Sequence, residues 1–472
     1  MHQSISRTFL LNLNSSSPGD SGQPSYDQSA LHDAPAMRTA ALILLLSLIT
    51  AINSVSAAEY HIYPGKSFKQ SAEKLKAGDT LIVHEGTYID EGRIAISVRG
   101  HKDKPVIIMG APNEEKPLIT RKPKSSIQNT INIEGASHLS IRHLEISSNG
   151  GDGIRLRGNS EYITLKDLTI HDIAVGINLR SSMHHIVVSN NHIFNTEETG
   201  EGLYIGCNRN ACSVSESVFE NNWIHDTRSA RQGDGIEIKA GSHSNIVRNN
   251  VIHDTKYPCI LVYGTSGKPR NRIDSNLMWN CGDSGIQAAA DAVISNNVIL
   301  NSPESGFNSH PHQGITPQNL TFVHNTIIGG DPCLRLRDWA NKPGMIFSNN
   351  AIYCESGHFK IPSLEGVNAS GNVFAPAIRA FPAQSYETGG SIEQDFTNAD
   401  LKLVYPSEKS TLLGAGKQEY ATKCDFTGFK RETRIDAGAY QYSDTKRPQY
   451  PLIQQPQNTN CEQEKPNNQT LD

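Results

Sequence analysis

A short motif returns eight times between residues 153 and 336 and limits what this chain can fold into. Each copy is a Gly or Cys followed by a brief alternating strand. The copies begin Gly153-Ile154-Arg155-Leu156, Gly176-Ile177-Asn178-Leu179, Gly202-Leu203-Tyr204-Ile205 and Gly235-Ile236-Glu237-Ile238. They continue with Cys259-Ile260-Leu261-Val262, Gly285-Ile286-Gln287-Ala288, Gly306-Phe307-Asn308-Ser309 and Cys333-Leu334-Arg335-Leu336. Steps of 21 to 33 residues with a strand period and no helical period predict a β-solenoid. In each strand the period of two turns the leading apolar residue inward and its neighbour outward. A leucine-rich repeat would need a Leu frame and a helical segment, and neither is present.

A second register runs through Asn191, Asn222, Asn250, Asn276, Asn297, Asn325, Asn350 and Asn372. Stacked asparagines at one turn form a hydrogen-bonded ladder, and Asn tolerates left-handed backbone there. The pairs His171-Asp172, His225-Asp226 and His253-Asp254 recur at one position and read as polar turn groups.

The chain carries 43 basic and 48 acidic side chains, a net charge of -5. That excludes a generic nucleic-acid binder, which would be basic. Arg38, the apolar run 40–52 and Val55-Ser56-Ala57-Ala58 have the order of a secretory signal peptide starting at Met37. The run is too short to span a bilayer, which takes about 20 residues. We therefore read 1–36 as an extension preceding the true start and 37–58 as the signal peptide. A cap and first coils follow over 59–130, repeats over 131–375, an irregular closing segment over 376–445 and a polar tail over 446–472. The mature protein is expected to be secreted or periplasmic, monomeric and without a membrane span.

The chain resembles the right-handed parallel β-helix proteins of the pectin-lyase-like group. The resemblance rests on the entry Tyr60-His61-Ile62-Tyr63-Pro64-Gly65, on Ala77-Gly78-Asp79-Thr80-Leu81 and on Glu85-Gly86-Thr87-Tyr88. Near the other end it rests on Leu412-Leu413-Gly414-Ala415-Gly416 and Asp436-Ala437-Gly438-Ala439-Tyr440. It implies an all-β parallel β-helix of about ten coils and a polysaccharide-directed setting.

The repeat sorts the eight cysteines. Cys259 with Cys281 and Cys333 with Cys354 are one coil apart and are expected to staple stacked turns. Cys207 and Cys212 enclose a four-residue loop, which leaves Cys424 for Cys461. Such pairing suits an oxidising compartment.

Function should come from the outward columns. One reads Arg157, Arg180, Gly206, Lys239, Tyr263, Ala289, His310, Arg337. Its neighbour reads Arg155, Asn178, Tyr204, Glu237, Leu261, Gln287, Asn308, Arg335. Cations gathered along one ridge of an acidic protein favour an acidic polysaccharide lying along the axis. Arg155, Arg157, Tyr204, Glu237, Asn308, Arg335 and Arg337 are the expected binding residues. Lyases of uronate polymers need a base among positive charges, and the resemblance implies Lys239 for that role, with Arg180, Tyr263 and His310 as further catalytic candidates. Asp234 and Glu201 precede adjacent strands and are candidate oxygen ligands for calcium. The expected activity is β-elimination on a uronate polymer. A hydrolase or epimerase of the same fold, or a non-catalytic carbohydrate-binding solenoid, is the alternative.

Overall fold

The computed structural model describes residues 57–122, 128–148, 150–397 and 404–444. The expected extension, most of the leader, the tail and Cys461 lie outside them. No helix among these residues is long and apolar enough to cross a membrane.

Alternation in the sequence becomes three parallel sheets wound about one core in about twelve turns, slightly more than the ten expected. The first sheet has 11 strands, from Ala95–Ile96 through Ile154–Arg157, Leu203–Ile205, Ile236–Ile238 and Ile260–Val262 to Phe359–Lys360. The second runs from Glu59–Ile62 to Asn368–Ser370, and the third from Thr87–Asp90 to Tyr386–Thr388. The register matches the repeat: Ile154 pairs Ile177, Ile177 pairs Leu203, Leu203 pairs Ile236 and Ile236 pairs Ile260. Inward residues form a continuous apolar core, and in the later coils Phe307, Phe322 and Phe347 stack at 4.1 and 5.1 Å. The glycine before each first-sheet strand has a packing cause. A Cβ on Gly235 would lie 2.5 Å from both Ile252 Cγ2 and the Cys259 carbonyl.

The asparagine ladder forms as predicted. Asn250 donates from its backbone N–H at 3.0 Å and from Nδ2 at 2.9 Å to Asn276 Oδ1, and Asn276 does the same to Asn297 Oδ1. The left-handed backbone falls one residue earlier than expected, at Asn190, Asn221, Asn249, Ser275, Asn296, His324 and Asn349, with φ of 54° to 59°. The ladder asparagines are chosen for their amides, not for their backbone. Disulfides Cys207–Cys212, Cys259–Cys281 and Cys333–Cys354 are present as expected.

Outward residues of the third sheet split into two regions. Val251, Leu277, Trp279, Val298 and Leu300 lie under Val404, Leu412, Ala437, Ala439 and Tyr440 of the closing segment. From Trp279 at the edge of that cover, His253, His225, Phe194 and His171 continue outward, stacked in register at 4.2 to 5.4 Å. Asp172, Asp226 and Asp254 hold the Nδ1 atoms of the three histidines at 2.6 to 2.7 Å.

The closing segment is latched by a buried cation. Arg431 Nη2 donates to the carbonyls of Gly438 and Ala439 and to Asn296 Oδ1 at 2.9 to 3.1 Å. His324, fully buried nearby, has its pKa pushed well down, first by burial and then by Arg431. A histidine depressed in the folded state binds fewer protons there than in the unfolded chain. Its contribution is therefore intact above the unfolded value of about 6.5 and is lost as pH falls below it. The melting temperature should fall between pH 7 and pH 5, and His324→Gln should flatten that slope. An unchanged slope would show that other histidines carry it.

Candidate functional site

Stacking of the first-sheet strands brings the two outward columns together as read from sequence. Tyr204 pairs in register with Glu237, and Glu237 with Leu261. The columns differ from an open cationic ridge in their middle. Tyr204, Glu237, Lys239 and Tyr263 are 7%, 2%, 4% and 3% exposed. Lys239 and Tyr263, packed on Tyr204 and Glu237, form the floor of a recess whose walls come from two loops.

One wall is the disulfide-closed loop Cys207–Cys212, and Tyr204 Oη donates to Asn208 Oδ1 at 3.1 Å beneath it. Gly241 opposite takes a left-handed backbone, φ 82°, and the Asn210 side chain occupies the space where its Cβ would be. The other wall is the excursion after Ser309, closed by a His312–Ile315 bridge. Gln313 reaches back from it to donate to Tyr263 Oη at 3.0 Å. Asn208, Arg209, Lys239, Ala240, Tyr263, Gln313 and Ile315 line a cavity of about 450 Å³.

Lys239 Nζ lies between two rings, 4.9 Å from the Tyr204 centroid and 4.8 Å from that of Tyr263. Arg180 lies 5.5 Å from the Tyr204 centroid, on the same ring. The charge around Lys239 departs from expectation. Its direct partner is the Glu237 carboxylate, which also accepts from Tyr263 Oη at 3.2 Å. Burial, and then the Glu237 charge, push both tyrosine pKa values well up, so both phenols stay protonated.

Glu201, Asp234 and Glu237 gather their carboxylates within 4.8 Å of one another, all buried. Both oxygens of Glu201, Oδ1 of Asp234 and Oε2 of Glu237 have no hydrogen-bond partner. Burial and then Glu237 raise the Glu201 and Asp234 pKa values, Asp234 the more strongly. The sequence placed Glu201 and Asp234 together from adjacent turns. It assigned Glu237 to sugar binding, and stacking also brings the Glu237 carboxylate beside theirs. Three hard oxygen donors with unused lone pairs fit a divalent cation such as calcium. Asp152, at the same turn two coils away, serves Arg155 at 3.7 Å and Asn178 at 3.0 Å instead.

Toward the later coils, His310 Nδ1 lies 2.8 Å from Asn308 Oδ1. Arg335 reaches Glu304 at 3.7 Å. Neither His310 nor Arg335 lines the cavity, and Arg157 and Arg337 stand toward the two ends of the column. His312, Asn208, Arg209, Gln313 and Ile315 were not singled out from sequence. The His312 ring lies 5.3 Å from that of Tyr263, and burial and then Lys239 lower its pKa. Their loops carry no period, so the repeat could not announce them. The paired cysteines flanking Arg209 were the one available signal.

A family model described as a right handed beta helix region matches residues 119–269. No curated protein matches the sequence. Among solved structures, pectate lyase Pel9A is similar at TM-score 0.55 and 12% identity, over 82% of this chain and 96% of that one. XylC in complex with xylose gives 0.54 and 11%, over 81% and 98%. A variant of AlyGC, an alginate lyase of the PL6 family, gives 0.51 and 15%, over 82% of this chain but only 59% of that one. At such identities the likeness establishes the fold, a right-handed parallel β-helix.

Proposed function

We propose that this right-handed β-helix protein is a secreted polysaccharide lyase that cleaves a uronate-containing polymer by β-elimination in the recess over Lys239. The observation that carries the reading is Lys239 itself, a lysine held between two tyrosine rings on the floor of a sugar-sized cavity. Three disulfides fit an extracellular setting. The similar structures include proteins titled pectate lyase and alginate lyase.

Elimination removes the proton on the carbon bearing the carboxylate. The C–H electron pair becomes a C=C bond as the bond to the glycosidic oxygen breaks, and that oxygen takes a proton. In our reading the Lys239 ammonium first yields a proton to the Glu237 carboxylate it contacts, and the neutral Nζ then accepts the proton from carbon. Tyr263 Oη, kept protonated and oriented by Gln313, supplies the proton that the glycosidic oxygen takes. Arg180 holds a carboxylate beside Tyr204. Glu201, Asp234 and Glu237 would hold a divalent cation, which when bound supplies positive charge against the substrate carboxylate.

Incubation with pectate, alginate and glycosaminoglycans, followed by ultraviolet absorbance, should give unsaturated products from one of them. New reducing ends without that absorbance would replace this reading with hydrolysis. Binding without either would replace it with a non-catalytic solenoid.

A further inference from the structure

We propose that the disulfide-closed loop Cys207–Cys212 is a carboxylate-gripping arm, and that Arg209 at its tip selects uronate chains over neutral ones. The inference rests on the reading of the recess as a sugar site and adds a residue and a substrate criterion to it. Most cations near the recess are already engaged. Lys239 is paired with Glu237, Arg155 with Asp152, Arg335 with Glu304, and Arg180 packs on Tyr204. Arg209 is exposed, lines the cavity and has no carboxylate partner among the described residues.

The loop is built to fix the backbone from which Arg209 projects. Arg209 and its neighbour Asn210 both take left-handed backbone, with φ of 57°. Two successive non-glycine residues in that region are costly and persist only where the surroundings fix them. Here the fixing groups are the disulfide, with Cα atoms 5.0 Å apart, and the Asn208 side chain on Tyr204. Gly241 leaves the space that Asn210 fills. A guanidinium presented this way matches a carboxylate through two parallel N–H donors. Because the disulfide fixes the loop, reduction should release the grip without touching Lys239.

The test measures affinity and turnover separately. Calorimetry with a saturated hexa-uronate and a neutral hexasaccharide reads selectivity in the intact chain, whatever its chemistry. Arg209→Gln should weaken uronate binding about tenfold, the loss expected for one charge-assisted contact. It should leave neutral binding unchanged, and Arg209→Lys should recover part of the loss. On a cleaved polymer, KM should rise by the same factor with kcat within about twofold. Cys207→Ser with Cys212→Ser should reproduce the loss, and adding Arg209→Gln to that pair should cost nothing more. Uronate affinity at the wild-type level in Arg209→Gln would overturn the arm. So would equal wild-type affinity for uronate and neutral oligomers. Uronate-selective binding lost in Arg209→Gln, in a protein that yields no unsaturated product, would uphold the arm and overturn the lyase reading.

Discussion

Lys239→Ala is expected to reduce elimination turnover by about 10³-fold, the scale of a lost general base, while polymer affinity stays within about threefold. The exposed cations Arg157, Arg180 and Arg209 remain in that variant to attract an acidic chain. The substitution also strands Glu237 beside Glu201 and Asp234, and an uncompensated buried charge is destabilising. Stability and chemistry are separable by adding Glu237→Gln, which removes the stranded charge. The double variant should regain the lost melting temperature and remain inactive. Recovery of turnover along with stability would make Lys239 a structural cation and move the search for the base to Tyr263 and His312. By contrast, Arg157→Ala and Arg337→Ala should weaken binding more at low salt than at high, since exposed charges are screened over about 8–10 Å.

The largest effect on stability is expected in the asparagine ladder. Asn276→Ala removes the acceptor for the Asn250 backbone N–H and for one Nδ2 hydrogen of Asn250, whose other hydrogen keeps the Phe219 carbonyl, and it removes the Nδ2 donor to the Val247 carbonyl and Asn297 Oδ1. These groups are buried, and each lost partner costs about 1–3 kcal/mol. Urea unfolding should register a loss of about 4 kcal/mol. Asn368→Ala, at an exposed position, should stay within about 0.5 kcal/mol. Equal losses at the two sites would mean that the ladder is ornament and that the apolar core alone sets the coil.

Much of the coil was legible because it repeats. The inward Ile and Leu positions, the ladder and the two inter-coil disulfides each recur with the coil, so one assignment fixes the rest. The columns over Tyr204, Glu237, Lys239 and Tyr263 were legible as lists for the same reason. Their burial was not. It comes from residues 207–212 and 310–319, which leave the coil, fold back over it and obey no period. A carboxylate also reads the same way whether it meets sugar or another acid. Only stacking from two adjacent coils shows that Glu237 also meets Glu201 and Asp234 in one buried carboxylate cluster.

The coil carries the floor of the recess and the two loops carry its walls, so scaffold and enclosure belong to different parts of the chain. Each strand pairs only with the coil before and the coil after, so a loop can lengthen at a turn without shifting any register. The recess is made by two such lengthenings, one pinned by its own disulfide. A descendant that keeps every inward isoleucine and every ladder asparagine but exchanges those two loops would inherit the scaffold and acquire a new diet.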